Sequence, residues 1–210
     1  MSFSKNVIPI SIPYEEIESA TNNFANENLL AQGSYFKVYK AQLLHSGDMV
    51  DIVARRSLND WYTDYELSMS SNLNHKNIVS VFKICVNKGE RIIINRYYAN
   101  ESLSKHLSGP TSLAWMQRLH ICVGVADALK YIHYDAFEDE YIIHNNVNSS
   151  KVLLDHNWEP KLHGFRSASK VKKHHLNLTN SFYVKLEYKD PAYEKTRGFN
   201  HKSDVFSFGV

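Results

Sequence analysis

The period of the apolar positions changes near residue 100. From Leu29 to Ile94 apolar residues alternate or form short β-branched blocks; after Ser102 they recur at helical spacing. The chain opens with a short arm and a helix. Ser11 is placed to cap it, Pro13 suits the first turn, Glu15 and Glu16 favour the positive helix end, and Ile17, Ala20 and Phe24 share a face. Residues 29–44 read as half of a hairpin, and the Ser46-Gly47-Asp48 turn leads into a second strand at 49–57. A helix is predicted between Asn59 and Leu73, capped by Asn59 or Asp60, with Trp61, Tyr65, Met69 and Leu73 at four-residue spacing. Residues 77–85 and 91–98 are two further strand candidates around an Asn87-Lys88-Gly89 turn. Residues 112–135 predict a long helix with Leu119, Val123, Ala126 and Ile132 on its inner side. Short β-like runs follow at 141–144 and 151–155. The stretch from His163 to Tyr188 is polar and reads as a long exposed loop, and 203–210 begin another apolar helix. A strand-rich half with one helix, then a helical half, predicts an α+β chain of two lobes meeting near Tyr97 to Asn100.

Composition narrows the class. The chain has 210 residues, 43% apolar and 22% charged, and a net charge of +2 without a dense basic stripe, which argues against a dedicated nucleic-acid binder. No apolar run reaches bilayer length, the start has no secretory pattern, and Ser2 excludes N-myristoylation. Two distant cysteines, Cys85 and Cys122, do not make a disulfide scaffold and fit a reducing, cytoplasmic setting. There is no internal repeat.

Four landmarks carry a resemblance: ATNNF at 20–24, WMQRLHICVGVADALKYIH at 115–133, VNSSKVLLD at 147–155 and KSDVFSFGV at 202–210. In order and spacing they resemble the plant receptor-like Ser/Thr protein kinase domain from about Phe24 to Val210. The resemblance implies an arm and helix over 1–23 and a kinase-like domain over 24–210. Its strand-rich N-lobe would cover about 24–97, and its helical C-lobe, incomplete at Val210, would cover 98–210.

Fold does not carry function, so each chemical position is read separately. The family's glycine-rich loop lets backbone N–H groups reach the ATP phosphates. Here residues 31–38 keep only Gly33; Ala31 and Phe36 stand at the other two glycine positions, and the Phe36 ring should restrict close approach. The strand lysine is replaced by Arg55, with Glu66 at the position of its helix partner, and an Arg is not a neutral exchange for Lys. Val53 stands where the family's Ala faces adenine. Val38 and Leu153 remain suitable apolar walls, and the resemblance places Asn95 and Tyr98 in the same degenerate nucleotide pocket.

The catalytic loop reads His144-Asn145-Asn146-Val147-Asn148-Ser149-Ser150-Lys151 where the family has H-R-D-x-x-x-x-N. Asn146, a neutral amide, replaces the proton-accepting Asp; Lys151 replaces a Mg²⁺-holding Asn; Asn148 stands at a frequent lysine position. The D-F-G segment reads Gly164-Phe165-Arg166, so the Mg²⁺-anchoring Asp is Gly164. Ser70 occupies a usually apolar spine position, and Ala192 replaces the Glu of A-P-E. Asp204 matches the acidic residue that ties down the catalytic loop. Loss of a general base costs about 10²–10⁴ in rate and loss of one electrostatic stabiliser about 10²–10³. Such effects are not additive, so the set costs roughly 10⁴–10⁶. A kinase of about 1–100 s⁻¹ would fall to roughly 10⁻² s⁻¹ or below.

Other constellations are weaker. His174-His175 has no suitable co-ligand and reads as a pair of solvated loop histidines. Glycosylation sequons at Asn100, Asn148 and Asn177 have no use in a cytoplasmic chain. Ser167, Ser169, Thr179 and Tyr183 fall in the matched activation segment, where a true kinase could phosphorylate them, but the phosphate-gripping Arg of the family is Asn145. The expected function is therefore a catalytically inactive binding or regulatory module, partnered by an active kinase or other signalling protein and recruited at most to the inner face of the plasma membrane. It requires no cofactor, binds ATP weakly at best and holds no Mg²⁺. The alternatives are a weak Ser/Thr kinase in which Arg55 and Lys151 neutralise phosphates, and a gene fragment without function.

Overall fold

The structure is a computed structural model describing residues 10–57, 60–87, 89–108, 112–173, 186–196 and 198–210. The chain divides into two compact units, residues 1–72 with 80–97 and residues 73–79 with 98–210.

The first unit is built on a six-stranded sheet, ordered β1 (Ile10–Ser11), β5 (Lys83–Asn87), β6 (Glu90–Arg96), β4 (Asp48–Ser57), β3 (Phe36–His45) and β2 (Leu29–Gln32). Strands β3 and β4 pair over ten positions, from Phe36↔Ser57 to His45↔Asp48. Their two-residue turn has positive φ at both Ser46 and Gly47, the geometry that matches the twist of hairpin strands. Alternate residues of β3 and β4 (Tyr39, Ala41 and Leu43; Ile52 and Ala54) join Cys85, Ile92 and Ile94 in one core. The predicted arm packs into that same core through Ile12 and Ile17, and β1 pairs in parallel with β5. Helix α1 (Tyr14–Ala20) begins after Pro13 without a side-chain cap, because Ser11 is committed to β1. It ends at Thr21, whose hydroxyl donates to the Ile17 carbonyl and accepts from the Phe24 N–H. Helix α2 (Asp60–Ser70) buries Thr63, Glu66 and Ser70, while Trp61 is exposed. Its inward face is therefore polar, set by the ion pair of Glu66 rather than by the aromatic four-residue spacing. Asn59 and the side chain of Asp60, the expected caps, lie outside the described residues.

The predicted strand at 77–85 is divided. Only Lys83–Asn87 forms β5, whereas Ile78 bridges to Leu162 within the second unit. That unit contains α3 (Trp115–Lys130), which runs into a π-helical turn at Tyr131–Asp135. It also contains β7 (Glu140–Ile143), the hairpin of β8 (Val152–Leu154) and β9 (Pro160–Leu162), β10 (Ser169–Lys172), α4 (Tyr193–Thr196) and α5 (His201–Gly209). The inner face of α3 differs from the expected one. Ile121, Gly124, Val125, Ala128 and Leu129 are buried, with Ile132 just beyond, while Leu119 and Val123 are 46% and 55% exposed. Gly124 explains the choice. A Cβ there would lie 2.4 Å from Pro160 Cγ, so the helix approaches the β8–β9 hairpin along its glycine side. Asn77 closes the same junction, its amide donating to the Pro160 carbonyl at 3.0 Å.

The described part of 163–188 is not an exposed loop. Phe165, Ala168 and Val171 are buried, and β10 pairs antiparallel with β7 from Ser169↔Ile143 to Lys172↔Glu140. His174, His175, Asn177, Thr179 and Tyr183 lie outside the described residues.

Candidate functional site

In the first unit the β2–β3 hairpin carries the matched glycine-rich loop. Gly33 N–H donates to the Phe36 carbonyl at 2.9 Å, and the Phe36 ring folds over Gly33. A Cβ on Gly33 would sit 2.8 Å from Cε1 of that ring. The backbone freedom that glycine supplies is thus spent on an aromatic side chain of the same loop. On the neighbouring strands Val38 is paired with Arg55, and Val53 with Asn95. Arg55 Nη1 lies 2.8 Å from Glu66 Oε2, with the two side chains 25% and 11% exposed, so the expected pair forms. Asn95 uses its amide on the Ser80 carbonyl at 3.0 Å. Ser70 bonds back to the Glu66 carbonyl at 2.8 Å, so the polar residue at the spine position is satisfied within its own helix.

In the second unit the centre of the site is the Asp204 carboxylate, 1% exposed on the first turn of α5. Asn200 starts that helix by accepting from the Lys202 N–H at 2.8 Å. Asp204 Oδ2 accepts from the His144 N–H at 2.7 Å and from His133 Nε2 at 2.8 Å, and Oδ1 accepts from the Asn145 N–H at 2.9 Å. One buried carboxylate therefore anchors the matched catalytic loop, as expected of Asp204. His133 and the adjoining His201 ring, 5.7 Å away between centroids, leave no signal in the sequence, because no spacing links them. His144 packs edge-on to Phe165 at 4.9 Å. Its Nδ1 accepts from the Asn146 N–H and its Nε2 faces the His163 carbonyl, so the ring is neutral with its proton on Nε2. Burial pushes the His144 pKa down, more strongly than nearby Asp204 raises it. His201 is lowered in the same way, by burial first and then by His133.

The loop that follows is closed on itself. Asn148 donates to the carbonyl oxygen and to Oδ1 of Asn146, at 3.0 and 2.9 Å. Its own Oδ1 accepts from Ser150 N–H and Oγ. The β8–β9 register, Val152↔Leu162, brings the chain entering β8 beside the chain leaving β9. Lys151 and Gly164 consequently meet. Gly164 is in the left-handed region at φ 89°, and a Cβ on it would lie 3.0 Å from Lys151 Cδ, 3.4 Å from Cε and 3.5 Å from Nζ. Of the three positions matched to chemistry, Lys151 and Gly164 meet, and Asn146 lies earlier on the same loop, bonded by Asn148; they present an ammonium, no side chain and an amide. Leu153 is half-buried on β8, its strand bridged by Ser102, and Tyr98 is half-buried where the chain re-enters this unit. Ala192 is exposed, and nearby Asp190 accepts from the Ala192 N–H and the Ser203 hydroxyl. Asn145 is more than a lost arginine: its amide donates to the Ser167 carbonyl and to Ser169 Oγ, each at 3.0 Å.

A strand-rich unit with an Arg–Glu pair, and a helical unit whose buried Asp anchors a loop beside a Phe-containing segment, define a protein-kinase-like α+β fold. Comparison with known proteins agrees: the family model described as protein tyrosine and serine/threonine kinase matches residues 24–210. The chain belongs to the protein tyrosine and serine/threonine kinase family. It is similar to the Arabidopsis thaliana receptor-like serine/threonine-protein kinase SD1-7, with 36% identity over 96% of this chain and 25% of that protein. It is similar also to the receptor-like protein kinase HERK 1 of the same organism, with 33% identity over 95% and 24%. For receptor-like serine/threonine-protein kinase SD1-8 the values are 35%, 100% and 26%. The chain spans about a quarter of the length of these relatives. Among the described residues no helix is long and apolar enough to cross a membrane.

Proposed function

We propose that this kinase-like domain is catalytically inactive and works as a binding and regulatory module in receptor-like kinase signalling. The observation that carries the reading is the packing of Lys151 on Gly164, together with a neutral amide at Asn146 whose Oδ1 accepts from Asn148. Phosphoryl transfer needs a group that orients the nucleophile and takes up its proton, and Mg²⁺ to gather the phosphate charge. An amide has no basic function at neutral pH. Mg²⁺ favours hard oxygen ligands, and these positions offer it an alkyl-ammonium against a bare backbone. The residues do not fit the ion.

Phe36 folded over Gly33 supports weak nucleotide binding at most, without metal. Retention of the Asp204 anchor and the Arg55–Glu66 pair supports a scaffold kept for recognition. Its partner is an active kinase or another signalling protein, met in the cytoplasm or at the inner face of the plasma membrane; nucleic acid is not a partner. Incubation of the purified chain with labelled Mg-ATP tests the reading. Incorporation should stay at roughly 10⁻² s⁻¹ or below, and turnover of about 1–100 s⁻¹ overturns it. A weak Ser/Thr kinase is the second reading, favoured by the intact Arg55–Glu66 pair at 2.8 Å. ATP binding that depends on Mg²⁺ would select it.

A further inference from the structure

We propose that Asn145 is a built-in latch that holds residues 167–173 in one conformation without any phosphate. Asn145 is 4% exposed, and its amide uses both protons on the segment, one on the Ser167 carbonyl and one on Ser169 Oγ. Its backbone N–H is tied to Asp204, so the latch is mounted on a carboxylate only 1% exposed. The residue also has φ 61°, a left-handed conformation that Asn tolerates better than most side chains. One residue type therefore meets the backbone requirement and the hydrogen-bonding requirement together.

The amide orientation is fixed. Its Oδ1 is buried without a hydrogen-bond partner, and a flip would set that oxygen against the Ser167 carbonyl, acceptor to acceptor, at the loss of one of the two bonds. An orphaned buried acceptor is costly, and it is retained here where both amide protons are in use. Downstream of the latch the segment continues in β10, paired along its length with β7, with Val171 buried and Lys170 2.8 Å from Glu140. Lys173 completes it: its N–H donates to the Asp139 carbonyl, and its ammonium donates to the carbonyls of Tyr134 and Phe137. All of these bonds are made by the unmodified chain. The order of the segment therefore does not require phosphorylation of Ser167 or Ser169. This holds whether or not the domain transfers phosphate.

Hydrogen–deuterium exchange on the full chain after phosphatase treatment tests the latch. Amides of 168–173 should be protected in the wild type. Asn145→Gly keeps the left-handed backbone and removes both side-chain bonds, so exchange there should rise about 5- to 150-fold while α3 is unchanged. Ser169→Ala removes one acceptor without touching the loop and should raise exchange about 2- to 10-fold. A segment that exchanges freely in the dephosphorylated wild type overturns the proposal. So does unchanged exchange in Asn145→Gly with α3 protected. If Asn145→Gly loses protection throughout, Ser169→Ala decides: an increase confined to 168–173 supports the latch, and no change refutes it.

Discussion

Restoring an aspartate at position 164 is the sharpest perturbation of this site. Gly164→Asp meets two obstacles that can be sized separately. The left-handed backbone at φ 89° is open to glycine and costs other residues about 1–3 kcal/mol. The new Cβ also lies 3.0 Å from Lys151 Cδ, so the lysine stem must shift by a few tenths of an ångström. For a chain of this size 1 kcal/mol moves the melting temperature by about 2–4 °C, so the variant should melt roughly 2–12 °C below the wild type. The ammonium, which starts 3.5 Å from the position of that Cβ, is then within ion-pair reach of the new carboxylate. It occupies the charge that a divalent ion would need. Gly164→Asp alone should therefore show no Mg²⁺-dependent shift in melting with ATP. The double variant Gly164→Asp with Lys151→Asn frees the carboxylate and should show one, because a ligand that binds only the folded state raises its stability by mass action. Differential scanning fluorimetry with ATP, with and without Mg²⁺, reads both effects. If the single variant gains the same metal-dependent shift as the double, the Lys151 ammonium is not what excludes the metal.

Three further outcomes follow from the packing and the buried charges. Gly124→Ala places a methyl group 2.4 Å from Pro160 Cγ and should destabilise the fold by about 1–3 kcal/mol in urea unfolding. Asp204→Asn turns one carboxylate oxygen into a donor, set against either the Asn145 N–H or the His144 N–H; a loss of about 1–3 kcal/mol is expected, read by the same titration. His144 and His201 both have pKa values lowered by burial, so below about pH 6.5 the unfolded chain binds more protons than the folded one. Stability should thus fall as pH drops from 6.5 through the lowered folded values, and a denaturation midpoint that is flat between pH 7 and pH 5 would contradict this.

Residue identity at the matched positions belongs to the sequence alone. Arg55, Asn146, Lys151 and Gly164 stand where they do whatever the packing, and their altered charges and hydrogen-bonding groups can be read without coordinates. The change from alternating to helical periodicity near residue 100 is equally legible, since period 2 and period 3.6 leave different traces. The phase of α3 is not. Trp115, Met116, Leu119 and Val123 are apolar and exposed, while Ile121, Val125 and Ala128 are apolar and buried. A helix apolar on both faces carries no phase, and the close approach at Gly124 to Pro160 decides it. The inward face of α2 is hidden for the opposite reason, because a polar Glu66 paired with Arg55 outweighs a stripe of aromatics. The same holds for 167–173, whose polar composition reads as a loop. Partners far away in the chain, Asn145, Asp139 and β7, satisfy its donors and acceptors, and only folding brings them within hydrogen-bond distance.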